Sequence, residues 1–262
     1  MFDPSQLGFA LAAGLAAATV GLSKGGLPMI GLLAVPIMSL VMSPLTAAGL
    51  LLPVYVVSDL FGVWSYRREY SGRNLAILMP AGALGVGIGW ATATVISEEA
   101  VMLLIGLIGL GFCLNRWFGR LPAQPRPADV PRGLFWGTLT GFTSFVTHAG
   151  APPYQTYILP QRLPKMVFAG TSTLLFAALN AMKLVPYWAL GQLSLSNLAV
   201  TLALTPVAVA GTLAGVKLTR ILPEKLFFRL VIGALFLLSL KLVMDGVVHY
   251  AHAAAAVAAV AW

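Results

Sequence analysis

Apolar residues run along this chain in long continuous blocks, without the strict alternation of a half-buried strand. The blocks fall at about 7–22, 28–42, 44–64, 75–95 and 99–115, then at about 133–146, 152–160, 165–188, 196–216 and 226–244. Roughly 18 or more apolar residues suffice to cross ~30 Å of hydrocarbon, so the longer blocks predict membrane-spanning helices. The first two blocks of each set are short, about 9–16 residues at ~1.5 Å of rise each, and most of them cannot cross alone. The pattern therefore predicts an all-α polytopic membrane protein with short broken or re-entrant helices followed by longer transmembrane ones. Runs that are continuous rather than alternating disfavour a β-barrel.

Two polar knots interrupt the apolar pattern, Gly21-Leu22-Ser23-Lys24-Gly25-Gly26-Leu27-Pro28 and Thr147-His148-Ala149-Gly150-Ala151-Pro152. They are repeat-related. A shift of 124 residues lays Lys24 on His148, Pro28 on Pro152 and Pro36 on Pro160. A shift of 121 lays Ala48 on Ala169 and Asp59 on Asn180, and a shift of 126 lays Pro80, Gly85, Gly89 and Glu98 on Pro206, Gly211, Gly215 and Glu224. Offsets that drift this little are what loop insertions produce between two copies of one unit. The chain divides into an N-terminal repeat at 1–115, a Pro-rich linker at 116–132, a C-terminal repeat at 133–245 and an Ala-rich tail at 246–262. The tail is read as a helical extension outside the membrane rather than a further span.

Composition agrees with this pattern: 59% of residues are hydrophobic, 9% are charged, and mean hydropathy is +0.89. A formal net charge of +8 raises the possibility of nucleic acid, but the basic residues sit in short loops between spans, which is the signature of membrane topology. Arg67, Arg68 and Arg73 share one loop, and Arg116, Arg120, Arg126 and Arg132 share the linker. Arg162, Lys165, Lys217, Arg220, Lys225 and Arg229 fit the same cytoplasmic side. The loops around 96–99 and 190–194 carry no basic residue and are placed outside. Thirteen of the sixteen basic residues then obey one assignment, with both termini outside and the two repeats inverted relative to each other. The N-terminus lacks a basic leader region, so no cleavable signal peptide is expected. Cys113, the single cysteine, is expected to serve packing.

The exceptions to that assignment, Lys24, Lys183 and Lys241, lie inside apolar blocks and require partners. In the first knot, Gly25 and Gly26 let backbone approach a ligand, and Pro28 suits the first turn of a helix starting near Leu27. That helix end, with Ser23 and the Lys24 charge, predicts an anion seat with no acid nearby. The competing reading has Lys24 snorkelling to an interface. In the second knot, Thr147, His148, Ala149 and Gly150 precede a helix opened by Pro152-Pro153, and Ser144 and Gln155 are further hydrogen-bonding candidates. His148 either adds charge and relays a proton or is a neutral histidine bonded to backbone. Asn180 and Lys183 share one helix face, and Lys183 either faces a cavity or sits at an outer aromatic belt formed by Pro186-Tyr187-Trp188. Asp59 either carries a coupling proton, pairs with Lys24, or reaches the cytoplasmic Arg67 and Arg68. Lys241 and Asp245 are spaced to pair. Gly85–Gly89 and Gly211–Gly215 have the small-xxx-small spacing of close helix contacts. No nucleotide loop, zinc motif or paired cysteines occur in the sequence, so neither cofactor nor metal is expected.

On the residues Gly21-Leu-Ser-Lys-Gly-Gly26 with Val35-Pro36, His148-Ala-Gly-Ala-Pro-Pro153 with Leu159-Pro160, and Asn180-Ala-Met-Lys-Leu-Val-Pro-Tyr187, the chain resembles the TauE/SafE sulfite exporter family. The resemblance extends from about residue 7 to 243. It departs at Leu27 and His148, where many members carry glycine. The resemblance implies a bacterial inner-membrane transporter of small sulfur-containing anions, sulfite or C2 sulfonates such as sulfoacetate, usually outward. It places the substrate at the two knots with Asn180 and Lys183. With no ATP-binding sequence, a proton or the membrane potential would drive alternating access, His148 and Asp59 being the titratable candidates. The expected partners are the anion and the lipid bilayer, with self-association left open and no nucleic acid. The alternatives are an importer or carrier of another small anion, an intramembrane enzyme using His148 and Asp59, and a non-transporting membrane subunit.

Overall fold

A computed structural model describes residues 4–28, 30–95, 97–118, 124–193 and 198–260. The expectations for Ile96, Arg120, Pro122 and Ser194 fall outside these residues. Among the described residues all regular structure is helical: α1 (Pro4–Lys24), α2 (Ala34–Met38), α3 (Pro44–Tyr66), α4 (Gly72–Ala91), α5 (Glu98–Phe118), α6 (Val130–Thr147), α7 (Ala151–Ile158), α8 (Lys165–Ala189), α9 (Leu198–Ile221) and α10 (Glu224–Val260). A 3₁₀ turn at Ile30–Leu33 leads into α2, and another at Leu159–Gln161 follows α7. Seven of the helices, all but α2, α6 and α7, are long and apolar enough to cross a membrane. This is an all-α polytopic membrane protein.

Two element boundaries differ from those read in the sequence. The first block is a 21-residue helix rather than a short one, because α1 continues through Leu22-Ser23-Lys24 before the glycines stop it. After the first knot the chain does not enter a helix at Leu27. It makes the 3₁₀ turn and then the five-residue α2, so the helix end facing the knot is short. The alanine-rich segment continues α10 as helix to Val260.

Helix pairing follows glycine. α1 lies against α9, and a Cβ at Gly21 would come within 2.0 Å of the Ala208 carbonyl oxygen. At Gly25 it would come within 2.4 Å of Gly215 Cα, so the two helices touch backbone to backbone and run in the same direction. The same device joins α4 to α6: a Cβ at Gly85 would lie 2.0 Å from Thr138 O, and one at Gly141 would lie 2.0 Å from Gly82 O. Without a hydrophobic force between helices in lipid, such close approach is what holds spans together. The pairs α1–α9 and α6–α4 are exchanged by the repeat shifts. α3 packs on α8 and α5 on α10, each with its own counterpart.

The basic loops gather at one end of the molecule. Arg73 Nε donates to Ala128 O at 2.8 Å, and Arg126 N–H donates to Pro160 O at 3.1 Å. Asn74 and Gln161 exchange two side-chain hydrogen bonds, and Lys165 Nζ caps α9 by donating to the carbonyls of Arg220 and Leu222. At the opposite end Lys241 pairs with Asp245.

Candidate functional site

The broken helices converge on the α3–α8 pair, and their free carbonyls are answered by side chains. A helix that ends inside the bilayer must have its last carbonyls satisfied by protein. At the end of α1, Gly25 O accepts from Tyr66 OH (2.6 Å) and Thr219 Oγ1 (2.9 Å), while Lys24 O accepts from Thr173 Oγ1 (3.2 Å). At the end of α6, Phe145 O accepts from Tyr187 OH (2.9 Å) and Ser144 O from Lys183 Nζ (3.1 Å). Tyr66 and Tyr187 stand 121 residues apart, the same shift that lays Asp59 on Asn180, and each caps the end of a broken helix. Tyr187 is therefore buried, not part of an outer aromatic belt.

The breaks themselves use left-handed backbone. Gly26 has φ +107°, where glycine carries no penalty, whereas His148 ends α6 at φ 55°. A non-glycine residue there is held by its contacts. His148 Nδ1 lies 3.3 Å from Lys183 Nζ, His148 Nε2 lies 3.0 Å from Tyr187 OH, and its ring stacks on Tyr55 at 5.6 Å and 11°. As an ammonium, Lys183 finds an acceptor for each of its three N–H groups in Ser144 O, Ser144 Oγ (3.2 Å) and His148 Nδ1. Lys183 is 0% exposed, so it lies in the interior and not at the outer interface.

Lys24 is also buried and does not snorkel. Its Nζ sits 2.8 Å from Asp59 Oδ1 and 4.9 Å from the Tyr55 ring centroid, while Asn180 Nδ2 donates to Asp59 Oδ2 at 2.8 Å. Two sequence expectations fall here. The Lys24 seat does have an acid beside it, and Asp59 turns to Lys24 and Asn180 rather than to Arg67 and Arg68. The pairing of Asp59 with Lys24 is among the sequence alternatives; what spacing along one helix does not encode is that this contact, made across α1, α3 and α8, displaces the reach to Arg67 and Arg68.

Between these groups lies a small cavity of about 40 Å³, lined by Ser23, Lys24, Tyr55, Ser144, His148 and Asn180, with Ser172, Thr173 and Phe176 on its wall. One water needs ~10–15 Å³ by this measure, so the space suits a few waters or one small oxyanion. Lys183 does not line it but bonds to two residues that do, Ser144 and His148, and Asp59 reaches it only through Lys24 and Asn180. Gly25 and Gly26 shape the first break, and Gly150 caps α7 where a Cβ would lie 2.8 Å from Thr140 O. Ala149 packs against the α5–α10 core, and Thr147 Oγ1 returns to Thr143 O. Gln155 is fully buried in α7 with an amide that has no partner among the described residues, and it does not line the cavity. Because Pro152 and Pro153 lack N–H groups, Ala151 is the donor left in the first turn of α7. The sequence reading missed Tyr55, Tyr66, Ser172, Thr173 and Phe176. A signal existed: the shift that lays Asp59 on Asn180 also lays Tyr55 on Phe176.

A larger vestibule of about 420 Å³ reaches the other side of His148 and Tyr187 from the end that carries Glu99, Lys241 and Asp245. His148 and Leu32 border both spaces. No cluster of His, Cys, Asp or Glu able to hold a metal ion occurs among the described residues, and Cys113 is buried with Sγ 3.8 Å from Ile232 O.

No curated protein and no solved structure matches the chain. The family model for the sulfite exporter TauE/SafE matches residues 8–242, nearly the whole of this helical, cavity-bearing unit. The chain belongs to the TauE/SafE sulfite exporter family, membrane transporters of sulfite and related sulfur anions.

Proposed function

We propose that the protein exports a small sulfur oxyanion, sulfite or a C2 sulfonate such as sulfoacetate, across the bacterial inner membrane. The anion occupies the cavity between the two knots. The observation that carries this reading is an imbalance of residue types: among the described residues the buried Lys, Arg, Asp and Glu side chains are Lys24, Lys183 and Asp59, with His148 beside Lys183. Two buried lysines stand against one carboxylate, and only Lys24 pairs with it. An unmatched buried charge is costly, and a bound anion offsets it.

The halves 1–115 and 133–245 act as inverted repeats that rock about the α3–α8 pair. Exchange of α1–α9 for α6–α4, and the paired Tyr66 and Tyr187 caps, support that relation. The state described has its vestibule on the side without basic loops, which positive-inside topology makes the exterior. The basic cytoplasmic end raises local anion concentration, while two of the three charged residues at the outer vestibule are acids, an asymmetry that favours outward movement. His148 and Asp59 are the groups that would couple a proton to the cycle.

Sulfite efflux from loaded proteoliposomes tests the reading, with Lys183→Met alongside. Protein-dependent efflux that the substitution abolishes is the expected result. Efflux no faster than from protein-free vesicles would reject sulfite as substrate.

A further inference from the structure

A second cleft, of about 530 Å³, opens at the basic end between the α5–α10 pair and α6–α7. It is separate from the central cavity, with which it shares no lining residue. Arg116, Arg126, Arg132 and Arg162 line it, against one acid, Glu224. Among the described residues Arg132 pairs with Asp129 at 3.6 Å, and neither Arg116 nor Arg126 has a carboxylate within ion-pair distance. The walls are of another kind. Leu107 and Ile108 on α5, Ile232 and Phe228 on α10, and Trp136 on α6 make them apolar.

The two characters are separated by depth. Leu107 stands nine residues from Arg116 along α5, and Ile232 eight from Glu224 along α10, which at ~1.5 Å per residue places the apolar floor about 12–14 Å from the charged rim. A small hydrated oxyanion gains from the rim but loses its water against the walls. An amphiphile with an anionic head and a hydrocarbon tail satisfies both.

We propose that this cleft is a binding site for an anionic phospholipid of the cytoplasmic leaflet. The phosphodiester lies on Arg116 and Arg126, whose guanidinium groups suit phosphate oxygens, and one acyl chain lies between α10 and α6. The lipid bridges the peripheral α5–α10 pair to α7, the helix that separates this cleft from the substrate cavity.

The test uses wild-type protein and R116Q/R126Q in phosphatidylcholine vesicles with and without 20 mol% phosphatidylglycerol, about one lipid in five. After detergent extraction, bound lipid is read by native mass spectrometry and stability by thermal unfolding. The wild type should retain one phosphatidylglycerol and unfold at higher temperature when it is present. The double variant should lose at least tenfold of that retention and all of the thermal gain, with R116K/R126K recovering part of both. Glycerol phosphate and sulfite at matched ionic strength should not displace the lipid, and sulfite efflux of R116Q/R126Q from vesicles without phosphatidylglycerol should equal that of the wild type. Equal lipid retention by wild type and variant would overturn the proposal. So would displacement by the free anions, or loss of efflux without any change in lipid retention, which would make the cleft an inner vestibule for the substrate. None of these outcomes touches the anion seat at Lys24 and Lys183.

Discussion

Lys24 and Lys183 are both buried cations, yet their surroundings assign them different consequences. Lys24 is the direct counter-charge of Asp59. Lys24→Met strands that carboxylate with only Asn180, so it should destabilise the protein by ~3–5 kcal/mol, whereas Lys24→Met with Asp59→Leu should recover most of the loss. Thermal unfolding of both variants in detergent checks this; equal losses would show that the pair is not the source. Lys183 has no buried acid against it and bonds to neutral acceptors. Lys183→Met should cost only ~1–3 kcal/mol for the acceptors it strands but weaken anion binding at least tenfold, on the order of 1.4 kcal/mol. Titration calorimetry with sulfite separates the two effects. Individual residue types pointed to these positions in the sequence, since a lysine in an apolar block needs a reason. The Lys24–Asp59 pair stood only as one alternative among three, and the Lys183–His148 contact was not legible, because each joins helices far apart in the chain.

At the scale of elements, the ends of α1 and α6 are stable only because other helices cap them. Tyr187→Phe should cost ~1–3 kcal/mol in thermal unfolding, the penalty of a buried carbonyl left short of a donor, whereas Tyr66→Phe, which leaves Thr219 Oγ1 on Gly25 O, should cost ~0.5–1.5 kcal/mol. The glycine contacts are less forgiving. Gly21→Ala and Gly85→Ala place a Cβ within 2.0 Å of a carbonyl on the facing helix, so each should lower the yield of folded, monodisperse protein. Gly87→Ala faces open space and should behave as wild type. Size-exclusion profiles of the three variants discriminate the two cases. The small-xxx-small spacing was readable in the sequence as packing; which helix each glycine touches was not. The lengths of α1 and α2 were misread for one local reason. Hydropathy falls at Ser23 and Lys24 although the helix continues, and Leu27 is apolar although the regular helix has ended.

For the whole molecule, the long apolar helices and the clustering of arginines made the membrane fold legible from hydropathy alone. The repeat shifts went further and located both breaks. The cavity was not legible, since it arises where α1, α3, α6 and α8 meet. The proposed topology puts the basic end in the cytoplasm. In a Cys113→Ser background, Thr94→Cys should react with a membrane-impermeant maleimide on spheroplasts and Gly72→Cys should not, and the reverse pattern would invert the assignment.

On the proposed function, an anion balances the surplus of buried lysine between the two broken helices. Thermal unfolding of the purified protein in sulfite, sulfoacetate, taurine, sulfate, acetate and chloride, at matched ionic strength, tests it most directly. Selective stabilisation by sulfite or sulfoacetate in the wild type, absent in Lys183→Met, is the predicted result. An equal response to every anion, or the same stabilisation in the variant, would contradict an anion seat at this cavity.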